Sequence, residues 1–153
     1  MIGHLRRVPD QTDWAGYEAD LEGRWACRLL FGKSIDEVRY EFRDTAAIER
    51  SVELIGAPRP VFQYYVFAFV SLFESPVESA GESDCASAFL RLLCNRERDD
   101  PGCVAEIYPE LRSTVEHVAT NQAFYDADLD IYGDFRDLAA ELAELCEPTG
   151  SAR

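Results

Sequence analysis

The sequence is poor in several of the side chains that mark a reaction. Its 153 residues include one lysine, one methionine and two histidines, His4 and His117. Two histidines cannot build a histidine-rich metal centre, and there is no His-Glu-x-x-His and no glycine-flanked nucleophilic serine. His117 follows Glu116 on a helical stretch, where neighbouring side chains diverge by about 100°, so the two form no ready pair. Basic residues are scarce too. Lys+Arg is 15 against 29 Asp+Glu, a net charge of -14, with a pI near 4.4. A field of that sign repels nucleic-acid phosphates and anionic lipid, so direct binding to nucleic acid or membrane is not expected.

Long apolar runs are missing as well. The longest uncharged one, Val61 to Phe73, has 13 residues, where a bilayer needs about 20. Arg6 and Arg7 near the start have no apolar stretch behind them, so no secretory signal is read and a cytoplasmic location is expected. The five cysteines, Cys27, Cys85, Cys94, Cys103 and Cys146, are odd in number. Cys85, Cys94 and Cys103 stand nine apart, a spacing that fits no zinc site, so all five are expected as free thiols filling apolar space. One lysine against fourteen arginines fits a GC-rich bacterial genome.

Alternating strand patterns are absent, and helical ones fill the chain. Hydrophobic residues make up 47% and aromatics 12%, enough for one domain of this length to fold without metal or disulfide. Asp13 heads a pattern of Trp14, Tyr17, Leu21 and Trp25, three and four apart, which predicts a helix with those four on its inner face, stopping at Gly32. Ser34-Ile35-Asp36-Glu37 is a capping-box pattern. It opens a segment with Ile35, Val38, Phe42, Ala46, Ile48, Val52 and Ile55 on the apolar side, a break near Asp44, and an end at Gly56. Val61 to Phe73 is apolar on every face and predicts a helix at the centre of a bundle.

Ser75 to Ser83 reads as a loop. A helix from Ser83 to Arg96 places Cys85, Ala88, Phe89, Leu92 and Leu93 inward, and Glu97 to Asp100 reads as a charged turn. Pro101 starts a short helix towards Tyr108. Beyond Pro109, Leu111, Val115 and Val118 mark another helix. Asp126 to Gly133 is irregular, and Asp134 caps a last helix with Phe135, Leu138, Leu142 and Leu145 on one face. The expected architecture is a single all-α domain over 1–153: about six or more helices around 61–73, with flexible tails at 1–10 and 148–153.

Gly32-Lys33-Ser34 ends like a phosphate-binding loop, but position 27, where that motif needs glycine, is Cys27. The richest segment is Asp126 to Asp137. Counted as a calcium loop, Asp126, Asp128, Asp130, Asp134 and Asp137 fall at positions 1, 3, 5, 9 and 12. The sixth position is Ile131 rather than glycine, and the last is Asp137 rather than glutamate. A polar loop whose aspartates cap a helix accounts for the same residues.

The third reading is recognition. Residues 76–153 carry 17 acids and 6 bases, a net of -11, against 12 acids and 9 bases over 1–75, a net of -3. Tyr125 and Tyr132 are interleaved with Asp126, Asp128, Asp130 and Asp134. Aromatic anchors among steering carboxylates suit a basic partner. The leading expectation is a small acidic binding protein without catalysis or cofactor of its own, an inhibitor or immunity protein that neutralises a basic partner such as a toxin. The alternatives are a calcium- or other divalent-cation-binding module or metal-dependent enzyme centred on Asp126–Asp137, and a DNA mimic.

Overall fold

A computed structural model describes residues 7–148, and within them the chain is all-α with no strand. Ten helical segments follow in order: α1 Leu21–Leu30, α2 Ile35–Val38, α3 Ala46–Ile55, α4 Arg59–Tyr65, α5 Phe67–Phe73, α6 Pro76–Ser79, α7 Ser83–Asp99, α8 Tyr108–Thr120, α9 Leu129–Tyr132 and α10 Phe135–Cys146. Helix α7 packs between α3 and α10; α1 lies on the far side of α3, and α8 on the far side of α10. Segment α4–α5 fills the middle, with every residue from Val61 to Phe73 buried except the partly exposed Gln63 and Ser71. Those two polar side chains are bonded: Gln63 Nε2 donates to the Cys103 carbonyl, and Ser71 Oγ accepts from Arg39 Nε. The run expected as one helix is divided at Val66.

Local chemistry sets several boundaries. Ser34 and Glu37 form the reciprocal capping box that opens α2. Asp44, at φ 55°, breaks the chain ahead of α3, a conformation a short polar side chain tolerates. Ser75 caps α6 inside the segment read as a loop. Helix α7 continues through Glu97 to Asp99 because the buried Arg96 and Glu97 both find partners. Arg96 Nη1 donates to the carbonyls of Leu54, Ile55 and Ala57, closing the open end of α3, and its guanidinium lies over Phe62. The Glu97 carboxylate accepts from the backbone N–H groups of Gly102, Val104 and Ala105.

The first helix begins later than the pattern predicts. Gly16, at φ 94°, stops any helix from Asp13, and Asp20 caps α1 by accepting from Gly23 N. The start turns α1 so that Gly23, Ala26 and Leu30 face inward, while Leu21 and Trp25 lie exposed. Gly23 suits the packed face: a Cβ there would stand 2.5 Å from the Tyr17 carbonyl and 3.2 Å from that of Gly56. Likewise on α3, Ala47, Arg50 and Leu54 face inward, and Ile48 and Val52 do not. At the N-terminal side, Pro9 is buried and Val8 packs on the core, so residues 7–10 are part of the fold rather than tail. Residues 1–6 and 149–153 of the expected tails lie outside the described residues. No helix among the described residues is long and apolar enough to cross a membrane.

Candidate functional site

Between α8 and α10 the chain makes a knuckle over residues 121–134. Residues Gln122–Tyr125 form a 3-10 turn, Asp126 reverses the chain at φ 57°, and Asp128 opens the single turn of α9 by accepting from Asp130 N. Gly133, at φ 77°, ends the turn, and Asp134 caps α10 by accepting from Arg136 N. The glycine adopts a backbone angle that a side chain resists.

One side chain holds the knuckle from within. Gln122 Nε2 donates to the carbonyls of Ala127 and Gly133, and its Oε1 accepts from Phe135 N. Helix α7 holds it from outside. Arg91 Nη2 donates to the Tyr132 carbonyl, and the Tyr132 hydroxyl donates to Asp84 Oδ1 at 2.7 Å. No local pattern marks Gln122, Arg91 or Asp84 for this role, because each makes at least one bond across ten or more residues.

The tyrosines expected as exposed anchors occupy other places. Tyr125 is fully buried, with its ring packed edge-on against Phe73, Phe124 and His117. The αL turn at Asp126 carries the chain away only after Tyr125 has entered the core. Tyr132 is half-buried and engaged through its hydroxyl. The projecting apolar residues are instead Leu129 and Ile131, 59% and 75% exposed. Two positions apart in one helical turn, they point to opposite flanks. Leu129 and Asp134 border a depression of about 360 Å³ towards α8. Tyr132 borders a groove of about 390 Å³ between α3 and α7. The knuckle is thus a ridge between two concavities.

The aspartates do not converge as a calcium loop. No group of three His, Cys, Asp or Glu among the described residues is placed to hold a metal ion. The physical reason is local: Asp128 and Asp134 turn their carboxylates onto backbone N–H groups as caps, and residues 129–132 form a helical turn where the calcium arc requires an open loop. A Cβ at Gly81 would lie 3.3 Å from Asp126 Oδ2, which places that carboxylate beside α7. Asp137 stands in the first turn of α10, where negative charge favours the helix end.

The surrounding charge is graded. Arg136 pairs with Asp134 and holds its carboxyl below the ordinary range. Along α10, Glu141 pairs with Arg98 and Glu147 with Arg112. Asp126, Asp128, Asp130 and Asp137 make no ion pair with another described residue. The knuckle thus carries three exposed carboxylates, Asp126, Asp128 and Asp130, with no cationic partner among the described residues.

The thiols carry no sign of nucleophilic use. Cys85, Cys94 and Cys103 are buried and Cys27 and Cys146 half-buried, all free. Burial pushes every one of them up, Cys103 to about 11 and Cys146 to about 12, the reverse of an activated thiolate. Comparison with protein-family models, with curated proteins and with solved structures found no match.

Proposed function

We propose that the chain is a small acidic cytoplasmic binding protein of the inhibitor or immunity type, which neutralises a basic protein partner such as a toxin by holding it on the knuckle at α9. The observation that carries this reading is Ile131, an aliphatic side chain 75% exposed at the crown of a turn whose flanking Asp128 and Asp130 have no cationic partner. An exposed apolar anchor flanked by unpaired carboxylates has the composition of a recognition surface: the anchor supplies desolvation, and the charges steer encounter. The internal bracing by Gln122, Arg91 and Tyr132 supports it, because a surface held in its bound shape loses less entropy on binding.

The reading is tested by capture from an extract of the native host, with wild-type protein and with Asp128→Asn/Asp130→Asn as baits. The expected result is a basic protein retained by the wild type, released by raised salt, and depleted on the variant. An acidic captured protein, or equal capture by both baits, would overturn it.

A further inference from the structure

A further concavity lies where residues 11–18 meet the C-terminal end of α1. It holds about 400 Å³, and its walls include Gln11, Trp14, Tyr17, Glu18, Cys27 and Phe31. Local structure brings three aromatic rings to it. Gly16, at φ 94°, turns the chain between Trp14 and Tyr17, and Phe31 ends α1 with its N–H on the Cys27 carbonyl. The Tyr17 and Phe31 rings stand 6.3 Å and 6.1 Å from that of Trp14, at interplanar angles of 88° and 56°. Trp14 is buried and forms the floor; Tyr17 is half-buried and Phe31 is 45% exposed, and these two form walls. Tyr65 packs on Trp14 at 6.2 Å, and its hydroxyl donates to the carbonyls of Leu30 and Lys33 on either side of Phe31. The rings are therefore held in place before any ligand arrives.

Charge narrows what fits. Glu18 is the one charged side chain in the lining, and it makes no ion pair with another described residue. Nearby cations are engaged elsewhere: Arg7 pairs with Asp10 and Asp13, and Arg28 lies over Trp25. Arg24 of α1 takes no part in the lining. Burial and the Glu18 carboxylate both push the Cys27 thiol up, and no cation among the described residues acts on it in the opposite sense. Aromatic rings beside an unpaired carboxylate attract a cation. A primary ammonium is poorly served here, because its N–H donors need several acceptors in place of water and the only charged one is Glu18. A methylated quaternary ammonium has no donor to satisfy and presents methyl groups to the rings.

We propose that this depression binds a quaternary methylammonium group, seated against Tyr17 and Phe31 over Trp14, with Glu18 as its counter-ion. The site shares no residue with the knuckle, so the inference goes beyond the reading of the chain as a binder of basic protein and does not depend on it.

The test is a nuclear magnetic resonance titration of the full chain with choline and with the uncharged alcohol in which carbon replaces its nitrogen. The chain has two tryptophans, Trp14 and Trp25, so Trp25→Phe assigns both indole N–H signals. Choline is expected to shift the Trp14 signal saturably, with a Kd below about 10 mM, and the alcohol to bind roughly tenfold more weakly or worse. Glu18→Gln should weaken choline several-fold and leave the alcohol unchanged. Phe31→Leu keeps an apolar wall without a π face and should weaken choline more than the alcohol. Both side chains are exposed, so both variants should keep the wild-type helical spectrum. The comparison of choline with the alcohol on wild-type protein needs neither variant. A peptide carrying trimethyllysine, set against choline, separates the two sources of the group: tighter binding of the peptide points to a modified protein, tighter binding of choline to a free small molecule, and either supports the site. Equal binding of choline and the alcohol, a shift at Trp25 instead of Trp14, unchanged choline affinity in folded Glu18→Gln, or no saturable shift would overturn it.

Discussion

The hydroxyl of Tyr132 donates to the carboxylate of Asp84 across 2.7 Å, joining the turn of α9 to the first turn of α7. Forty-eight residues separate the two in sequence, and the bond sits where the knuckle meets the α3/α7 groove. It converts a four-residue helix, too short to hold itself, into a fixed feature of the surface.

Removing that hydroxyl is the first prediction. Tyr132→Phe keeps the ring but leaves Asp84 with one hydrogen bond fewer. The expected loss of stability is about 1 kcal/mol in a denaturant titration. Amide exchange should quicken at residues 129–133 and not in α4 or α5, since local opening no longer breaks the bond. Unchanged exchange across the knuckle would mean that Arg91 and Gln122 suffice to hold it.

The placement of the aspartates gives the second prediction. Carboxylates that cap helix ends offer no shared cavity to a cation. Millimolar calcium, magnesium or manganese should leave the melting temperature where chelator leaves it, because an ion without a native site gives no stabilisation by mass action. A rise with calcium that disappears in Asp128→Asn would contradict this arrangement.

How far these features can be read from sequence depends on the range over which they are determined. The caps at Ser34 and Asp134 are contacts within two or three residues, so their letters announce them. The burial of 61–73 follows from composition, because Gln63 and Ser71 are the only polar side chains besides the tyrosines in an otherwise apolar run, and those two alone are partly exposed. Trp25 and Ile48 show where periodicity fails: an apolar spacing of three or four gives a stripe, but helix start and neighbours decide which way the stripe turns. Asp20, not Asp13, starts α1 and sends Trp25 outward. At the site, the alternation of tyrosine and aspartate marks the right segment, while the roles within it come from Gln122, Arg91 and Asp84, whose bonds span 11, 41 and 48 residues. No local pattern encodes such pairings.

A third prediction concerns acid. Arg39 grips Glu78 with both guanidinium nitrogens, and Tyr40 adds a hydroxyl donor. Together they lower the Glu78 carboxyl from an ordinary 4.5 to about 2. A carboxyl depressed in the folded state stabilises above its unfolded value and loses that contribution as pH falls through the folded one. The stability gap between wild type and Glu78→Gln should therefore be full at pH 7 and close between about pH 4.5 and pH 2. Urea titrations at several pH values measure it. A gap constant over that range would show that the ion pair does not form.

On the proposed reading, the knuckle recognises a basic protein by steering charge and an apolar anchor, and the two make separable contributions to rate. The measurement is stopped-flow association and dissociation with the captured partner. Asp128→Asn/Asp130→Asn should slow association several-fold at low salt, with the difference shrinking as the Debye length falls to about 8 Å at physiological ionic strength. Ile131→Ser should leave association nearly unchanged and speed dissociation roughly tenfold, the loss of a desolvated anchor. Both variants alter exposed side chains, so both should keep the wild-type helical spectrum. Association that ignores both salt and Asp128→Asn/Asp130→Asn, with dissociation unmoved by Ile131→Ser in the folded protein, would overturn that reading.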